Sequence, residues 1–269
     1  MKKIVLFALL VVVFAGCSKE DGKENQINKL SFEFPNSVKN GDEYDIQANI
    51  EPNTSEVNNI ELFLDGKSVE KKFSQPFSFK LTLEDLLTGE HKLIMSATMK
   101  DGSVVSSAEK KFIFLVNLGD EYQNGVVIAV TDNGLHGTIA AKSDLTGGVL
   151  GKHKYGAYNG DYQAYSMNDG LENTNKFTGK FDSNYAAIAC LNLELNGYDD
   201  WYLPAYNEML LFENFLEKLN IPERSGRIYW SSTGDSSNEQ RAYAVPFGVS
   251  FGTPCDMQGS YLVRPCRKF

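Results

Sequence analysis

Gly197-Tyr198-Asp199-Asp200-Trp201-Tyr202-Leu203-Pro204-Ala205-Tyr206-Asn207-Glu208 is the stretch whose reading decides the fold of this 269-residue chain. Gly197 and the two aspartates read as a turn, because short polar side chains satisfy nearby backbone groups there. Trp201 and Leu203 alternate as a short buried strand does. Pro204 breaks the run, and from Asn207 to Leu216 the apolar residues recur at helical spacing. A second aromatic knot follows at Ile228-Tyr229-Trp230-Ser231-Ser232-Thr233. The chain closes on Val263-Arg264-Pro265-Cys266-Arg267-Lys268-Phe269.

Outward from that stretch, composition sets the class. With 26 Lys and Arg against 35 Asp and Glu, the formal charge is -9. That balance describes a soluble acidic protein and argues against nucleic acid, which needs clustered Lys and Arg. The pairs Lys71-Lys72 and Lys110-Lys111 read as solvated strand ends. Length suggests about two domains at ~100–200 residues each.

Met1-Lys2-Lys3 followed by the apolar run Ile4 to Ala15 reads as a signal peptide. The run is too short for a membrane span, which takes ~20 apolar residues. Phe14-Ala15-Gly16-Cys17 resembles a lipobox, although Leu is usual where Phe14 stands. Residues 1–17 are therefore expected to direct export and lipid attachment at Cys17, with a plain secretory signal as the alternative. Ser18 beside that cysteine fits an outer membrane. Lys19-Glu20-Asp21 resembles a surface-export signal or is a plain charged tether. Residues 18–28 are polar and read as a disordered tether.

Residues 29–117 read as strands. Leu30-Phe32-Phe34, Tyr44-Ile46-Ala48-Ile50 and Ile60-Leu62-Leu64 alternate, and Asp65-Gly66 and Asp101-Gly102 are hairpin signals. Further strands are expected at Leu93 to Met99 and Phe112 to Val116. Short strands with regular turns predict an all-β sandwich. The run Ile60 to Gly66, Pro76-Phe77, and Leu86 to Leu93 resembles bacterial immunoglobulin-like domains. With no cysteine pair here, its apolar core alone must hold it. Glu51-Pro52-Asn53 spells the sugar-binding tripeptide of calcium-dependent lectins, but sits after a strand and reads as a turn. His91 has no second ligand near it and is expected to be structural. This domain reads as a spacer.

After a junction at Asn117-Leu118-Gly119-Asp120, residues 119–269 form the second domain. Val126 to Val130 and Thr138 to Ala141 are expected strands around an Asp132-Asn133-Gly134 turn, and residues 184–195 an expected helix carrying Cys190. The motifs of this region, in order, resemble the collagen-like adhesin family (Lcl C-terminal domain): DW-x-LP-x-x-x-E, then YWSS, then VR-x-x-R-x-F. Gly125-Val126-Val127-Ile128, Gly134-Leu135-His136-Gly137, Glu172-Asn173-Thr174-Asn175 and the helix up to Cys190 extend the resemblance. It implies a compact α+β fold related to C-type-lectin-like and sulfatase-modifying-factor domains, with its ends close together. The expected whole is a multidomain chain, an immunoglobulin-like sandwich followed by a C-type-lectin-like domain.

Catalytic groups are scarce. The three histidines, His91, His136 and His153, have no metal-ligand spacing, and no nucleophile elbow or phosphate loop occurs. His136 is expected to be a hydrogen-bonded structural residue. Asp199 and Asp200 point apart as neighbours and read as turn residues. Trp201, Leu203, Trp230 and Phe269 are expected to be core, Pro204 to be a structural motif residue, and Arg264 or Arg267 to meet a carboxylate such as Glu208. The resemblance implies a Cys190–Cys266 disulfide and leaves Cys255 over. Binding surface is expected on Gly-, Tyr- and Asn-rich loops at 148–180, 234–241 and 248–259, with Tyr155, Tyr158, Tyr162 and Asp235 exposed. The expected function is non-enzymatic binding at the cell surface, without metal or cofactor: adhesion, or recognition of a glycan or protein, by a lipid-anchored outer-membrane protein. A structural subunit of a surface assembly and an unrecognised enzyme on a sulfatase-modifying-factor-like fold are the alternatives.

Overall fold

The computed structural model describes residues 27, 29–52, 56–148, 151–158, 162–179, 184–221, 227–247 and 251–269. The expected signal peptide, Cys17, most of the tether and Asn53 lie outside the described residues.

The first domain contains β1 (Lys29–Ser31), β2 (Ser37–Lys39), β3 (Glu43–Gln47), β4 (Asn49–Glu51) and β5 (Val57–Leu64). It continues with β6 (Lys67–Lys72), β7 (Ser78–Thr82), β8 (Gly89–Met99), β9 (Val104–Ser106) and β10 (Lys110–Leu115). One sheet runs β2-β10-β8-β5-β6, with β9 also on β8, and the pairs β3-β7 and β1-β4 bury residues in the same core. Alternation built this layer: Leu93, Met95, Ala97 and Met99 point inward from β8, and Ile60 and Leu62 from β5. Asp65 and Gly66 both take positive φ in the β5–β6 hairpin, a conformation that glycine adopts freely. At the edge, β6 presents Lys67, Lys71 and Lys72, and edge lysines discourage pairing with a second chain. Lys71 pairs with Glu61 and Lys111 with Glu90, each at 2.8 Å, and the two lysine pairs stand at the ends of β6 and β10 as expected.

The second domain begins with β11 (Glu121–Tyr122), β12 (Gly125–Thr131) and β13 (His136–Ala141). After α1 (Gly170–Asn175), α2 (Ala186–Leu191) and α3 (Tyr206–Leu210) come β14 (Ile228–Gly234), β15 (Arg241–Pro246), β16 (Thr253–Asp256) and β17 (Cys266–Lys268). One sheet is β11-β12-β13-β17 and the other β14-β15-β16, both antiparallel. The last strand therefore lies beside the domain's first hairpin. Two helices are shorter than expected. The residues 184–195 helix is confined to Ala186–Leu191, and α3 tightens into a 3-10 turn over Leu211–Phe215. Trp201 to Ala205 are buried on every side and extended, with a single bridge between Tyr202 and Cys266. Their burial has no period of two, which is why the expected strand alternation fails.

The junction is a built interface. Val116, Tyr122, Val127 and Ile139 belong to the same core cluster as the sandwich, and Phe269 packs against it. Tyr122 Oη donates to Leu86 O at 2.7 Å, Gln123 N to Asp85 Oδ1 at 2.9 Å, and Thr88 Oγ1 to Leu135 O at 2.6 Å. The first domain is fused to the second rather than strung before it.

Candidate functional site

The motif residues form the framework. Trp201, Leu203 and Trp230 are buried, and Trp230 Nε1 donates to His153 O at 2.8 Å. Pro204 O accepts from Ser232 N, joining the first motif to the second. Glu208 is buried with both oxygens occupied. Oε2 accepts from Ala205 N at 2.9 Å and Gly170 N at 3.1 Å; Oε1 accepts from Tyr202 Oη at 2.9 Å and Lys268 Nζ at 2.8 Å.

The arginines choose other carboxylates than Glu208. Arg264 meets Asp144, and Arg267 meets Asp200 at 2.7 and 3.0 Å while lying 3.8 Å over the Tyr198 ring. Strand alternation explains the exchange: in β17, Arg267 faces Asp200, so its neighbour Lys268 faces Glu208. Arg264 precedes the strand and escapes its alternation. Asp200 accordingly has a partner beyond its turn.

Three of the four expected loop contacts are interior. Tyr155 is buried beside Trp230 and Phe177, and its hydroxyl donates to Ser232 O at 2.8 Å. Burial pushes its phenol well above the usual range. Tyr162 is buried and stacks on Phe177 at 4.2 Å, accepting from Ala157 N. Asp235 is buried in a turn, accepting from Ser237 N and Oγ, and the Ser237 hydroxyl leads in holding its carboxyl below the ordinary range. Tyr158 is exposed as expected and donates to Asp256. The segment is irregular because interlocking aromatic edges, rather than a repeat, bury it.

No Cys190–Cys266 bridge is formed. Both are buried free thiols packed in different apolar clusters, and Cys255 is a half-buried free thiol on β16. Burial pushes both the Cys190 and Cys266 thiols up. His91 is structural, lying 2.6 Å from both Asp65 Oδ2 and Leu87 O. His136 departs from its expected role: it is exposed.

His136 opens onto a groove of about 670 Å³. One wall is sheet: Ala129 and Thr131 from β12, His136 and Thr138 from β13, Lys268 from β17, and Phe269. The other carries Asn168, Asn207, Glu208 and Leu211. Gly137 lets the sheet close here, since a Cβ would sit 2.2 Å from Ala129 O and 2.7 Å from the Phe269 ring. Lys268 Nζ also donates to Thr138 Oγ1 at 2.9 Å, and Asn207 Nδ2 donates to Asn168 Oδ1 at 2.6 Å. Largely apolar walls with a few placed polar groups are the form of a ligand site. Of its lining, sequence reading singled out Glu208, His136 and Phe269, all as structural. The signal available was the Gly134-Leu135-His136-Gly137 motif, beside which Lys268 and Phe269 are brought by strand pairing across the whole domain.

Residues 35–94 match the bacterial Ig domain family. The first domain is immunoglobulin-like. Among solved structures, the chain is similar to the fibronectin(III)-like modules of Clostridium thermocellum CbhA, at 17% identity and a TM-score of 0.28. That match covers 32% of this chain and 93% of the module. It is also similar to the extracellular domain of the one-component system BT4673 from B. thetaiotaomicron, at 17% identity and a TM-score of 0.22. There it covers 34% of this chain but 15% of the other, so the chain spans a small part of that relative's length. No curated protein matches the chain.

Proposed function

We propose that this chain is an exported lipoprotein, held in an outer membrane through Cys17, whose lectin-like second domain binds a glycan at the cell surface without chemistry. The observation that carries the reading is the groove between β17 and α3. It combines apolar walls with exposed amide side chains that hydrogen-bond neutral polar ligands. Its carboxylate and cation are unsuited to acid–base work, because Glu208 accepts four hydrogen bonds and Lys268 is shared between Glu208 and Thr138. The acidic balance of the chain and its polar segment after Cys17 support an exported, tethered protein.

A glycan array with the full chain tests the binding reading. Retention that is lost in Phe269→Ala or Asn207→Ala is expected; retention of no saccharide at all refutes it. Fatty-acid labelling tests the anchor. Label should enter the wild type and be absent from Cys17→Ala, and an unlabelled wild type overturns lipidation.

A further inference from the structure

Both ring nitrogens of His91 face acceptors. Nδ1 lies 2.6 Å from Asp65 Oδ2, and Nε2 lies 2.6 Å from Leu87 O. A carbonyl oxygen and an ionised carboxylate accept and never donate, whereas a neutral imidazole carries one proton and one lone pair. In either neutral tautomer a lone pair points at an oxygen only 2.6 Å away. The arrangement is therefore complete only when both nitrogens carry protons. Asp65 is fixed for its part, because its other oxygen accepts from Lys92 N at 3.0 Å. The ring stacks on Phe112 at 5.6 Å, and an edge of it still reaches solvent, the side chain being 11% exposed.

What the Nε2 proton holds is the loop that meets the second domain. Asp85 Oδ1 accepts from Gln123 N, Leu86 O accepts from Tyr122 Oη, and Thr88 Oγ1 donates to Leu135 O. Leu87 O, in their midst, turns back to His91 and ties the loop to the sandwich. The charged group that faces the ring is Asp65. On the same strand Glu90 and Lys92 pair with Lys111 and Glu109, and on β10 Lys110 pairs with Glu33. β10 meets the ring with Phe112 and Phe114. In the loop, Asp85 is taken by the Gln123 amide and Glu84 is exposed.

We propose that His91 is a proton-operated clasp on the domain junction. With both nitrogens protonated it holds Leu87, and through it the loop, where the loop bonds to the second domain. When the pH rises and the ring gives a proton to solvent, Nδ1 keeps its own, because the Asp65 carboxylate is the stronger acceptor. Nε2 then turns a lone pair on Leu87 O, the carbonyl moves off, and the bonds to Gln123, Tyr122 and Leu135 loosen. The sign is fixed: the clasp is closed on the acid side and released as pH rises.

Nitrogen-15 NMR of the full chain tests this from about pH 5 to about pH 9. At the acid end both His91 ring nitrogens should carry protons, and on raising the pH Nε2 should lose its proton while Nδ1 keeps it. The Thr88 and Gln123 amides should shift with the same midpoint. Protection of the Gln123 amide, corrected for the intrinsic exchange rate, should fall about tenfold, the effect of one hydrogen bond. His91→Phe should abolish the step and hold protection at the low value throughout. A bare Nε2 at the acid end overturns the proposal, as does a ring that stays doubly protonated across the range. Amides that ignore the ring's titration overturn the link to the junction, and an amide step that survives in His91→Phe assigns it to another group. Should that variant unfold, the wild-type ring and amide titrations decide alone.

Discussion

Replacing Arg264 by methionine tests whether a single buried guanidinium pins the second domain together. Arg264 is 1% exposed. Its Nε and Nη2 reach Asp144 Oδ1 at 2.7 and 2.6 Å, and Nη1 donates to Ala141 O at 2.9 Å and Leu219 O at 2.7 Å. One side chain thus joins the end of β13, the segment after it and the turn following the 3-10 helix. Methionine fills similar space with no donor. It strands two buried carbonyls, each worth ~1–3 kcal/mol when left unpaired. Asp144 loses its nearest cation but keeps Tyr229 Oη at 3.1 Å and Arg227 at 3.2 Å. Breaking a buried pair costs ~3–5 kcal/mol, and the two remaining donors place the expected loss within that range rather than above it. Arg264→Lys keeps the charge but loses the planar fork, so a loss of ~2 kcal/mol is expected. Urea unfolding followed by tryptophan fluorescence reads this out, because Trp201 and Trp230, the only tryptophans, are both buried in this domain. An Arg264→Met midpoint that corresponds to a loss below ~1 kcal/mol, at unchanged slope, would refute the reasoning.

Two further outcomes follow from buried groups. His153 is 3% exposed, and neither ring nitrogen finds a partner among the described residues. Burial pushes its pKa down. The unfolded chain therefore binds the extra proton first, and stability should fall as pH drops below ~6.5, the unfolded value. Urea midpoints at several pH values should show this slope, and His153→Phe should flatten it; an equally steep slope in the variant removes His153 as its source. Trp230→Ala empties a site between Tyr155 and Tyr261 and should cost ~3–5 kcal/mol. Calorimetry should find the second domain largely unfolded, whereas a wild-type melting temperature with binding lost would make Trp230 a ligand platform.

The sandwich was legible because each strand carries its own signal. Ile60 and Leu62 on β5 and the alternate residues of β8 face one core, and Asp65-Gly66 marks the hairpin between neighbours. The second domain hides its architecture in pairings that no local window contains. Trp201, Leu203 and Trp230 announced themselves as core by size and apolar company. Tyr155 and Tyr162 did not, since a phenol in a Gly- and Asn-rich run reads as surface until Phe177, distant in sequence, stacks beneath it. The arginine partners failed for a related reason: Arg264 reaches back 120 residues to Asp144, and only the register of β17 decides that Lys268 takes Glu208. The groove was least legible, being assembled from strand ends, a short helix and the final residue.

The junction decides how independent the two domains are. Ring centroids run from His91 to Phe114 at 6.1 Å, on to Tyr122 at 6.5 Å and to Phe269 at 5.2 Å. Each well-placed aromatic pair adds ~0.5–1.5 kcal/mol beyond its buried area. The Tyr122 hydroxyl and the Asp85 and Thr88 side chains bond across the same boundary. A hinge here would have to break all of these together and expose the apolar surface of Val116, Val127 and Ile139. Phe269 is both the last link of this chain and a wall of the groove. Tyr122 thus touches Phe269 on one side and the first domain's Phe114 and Leu86 on the other, so the groove wall is linked to the immunoglobulin-like domain through one shared ring.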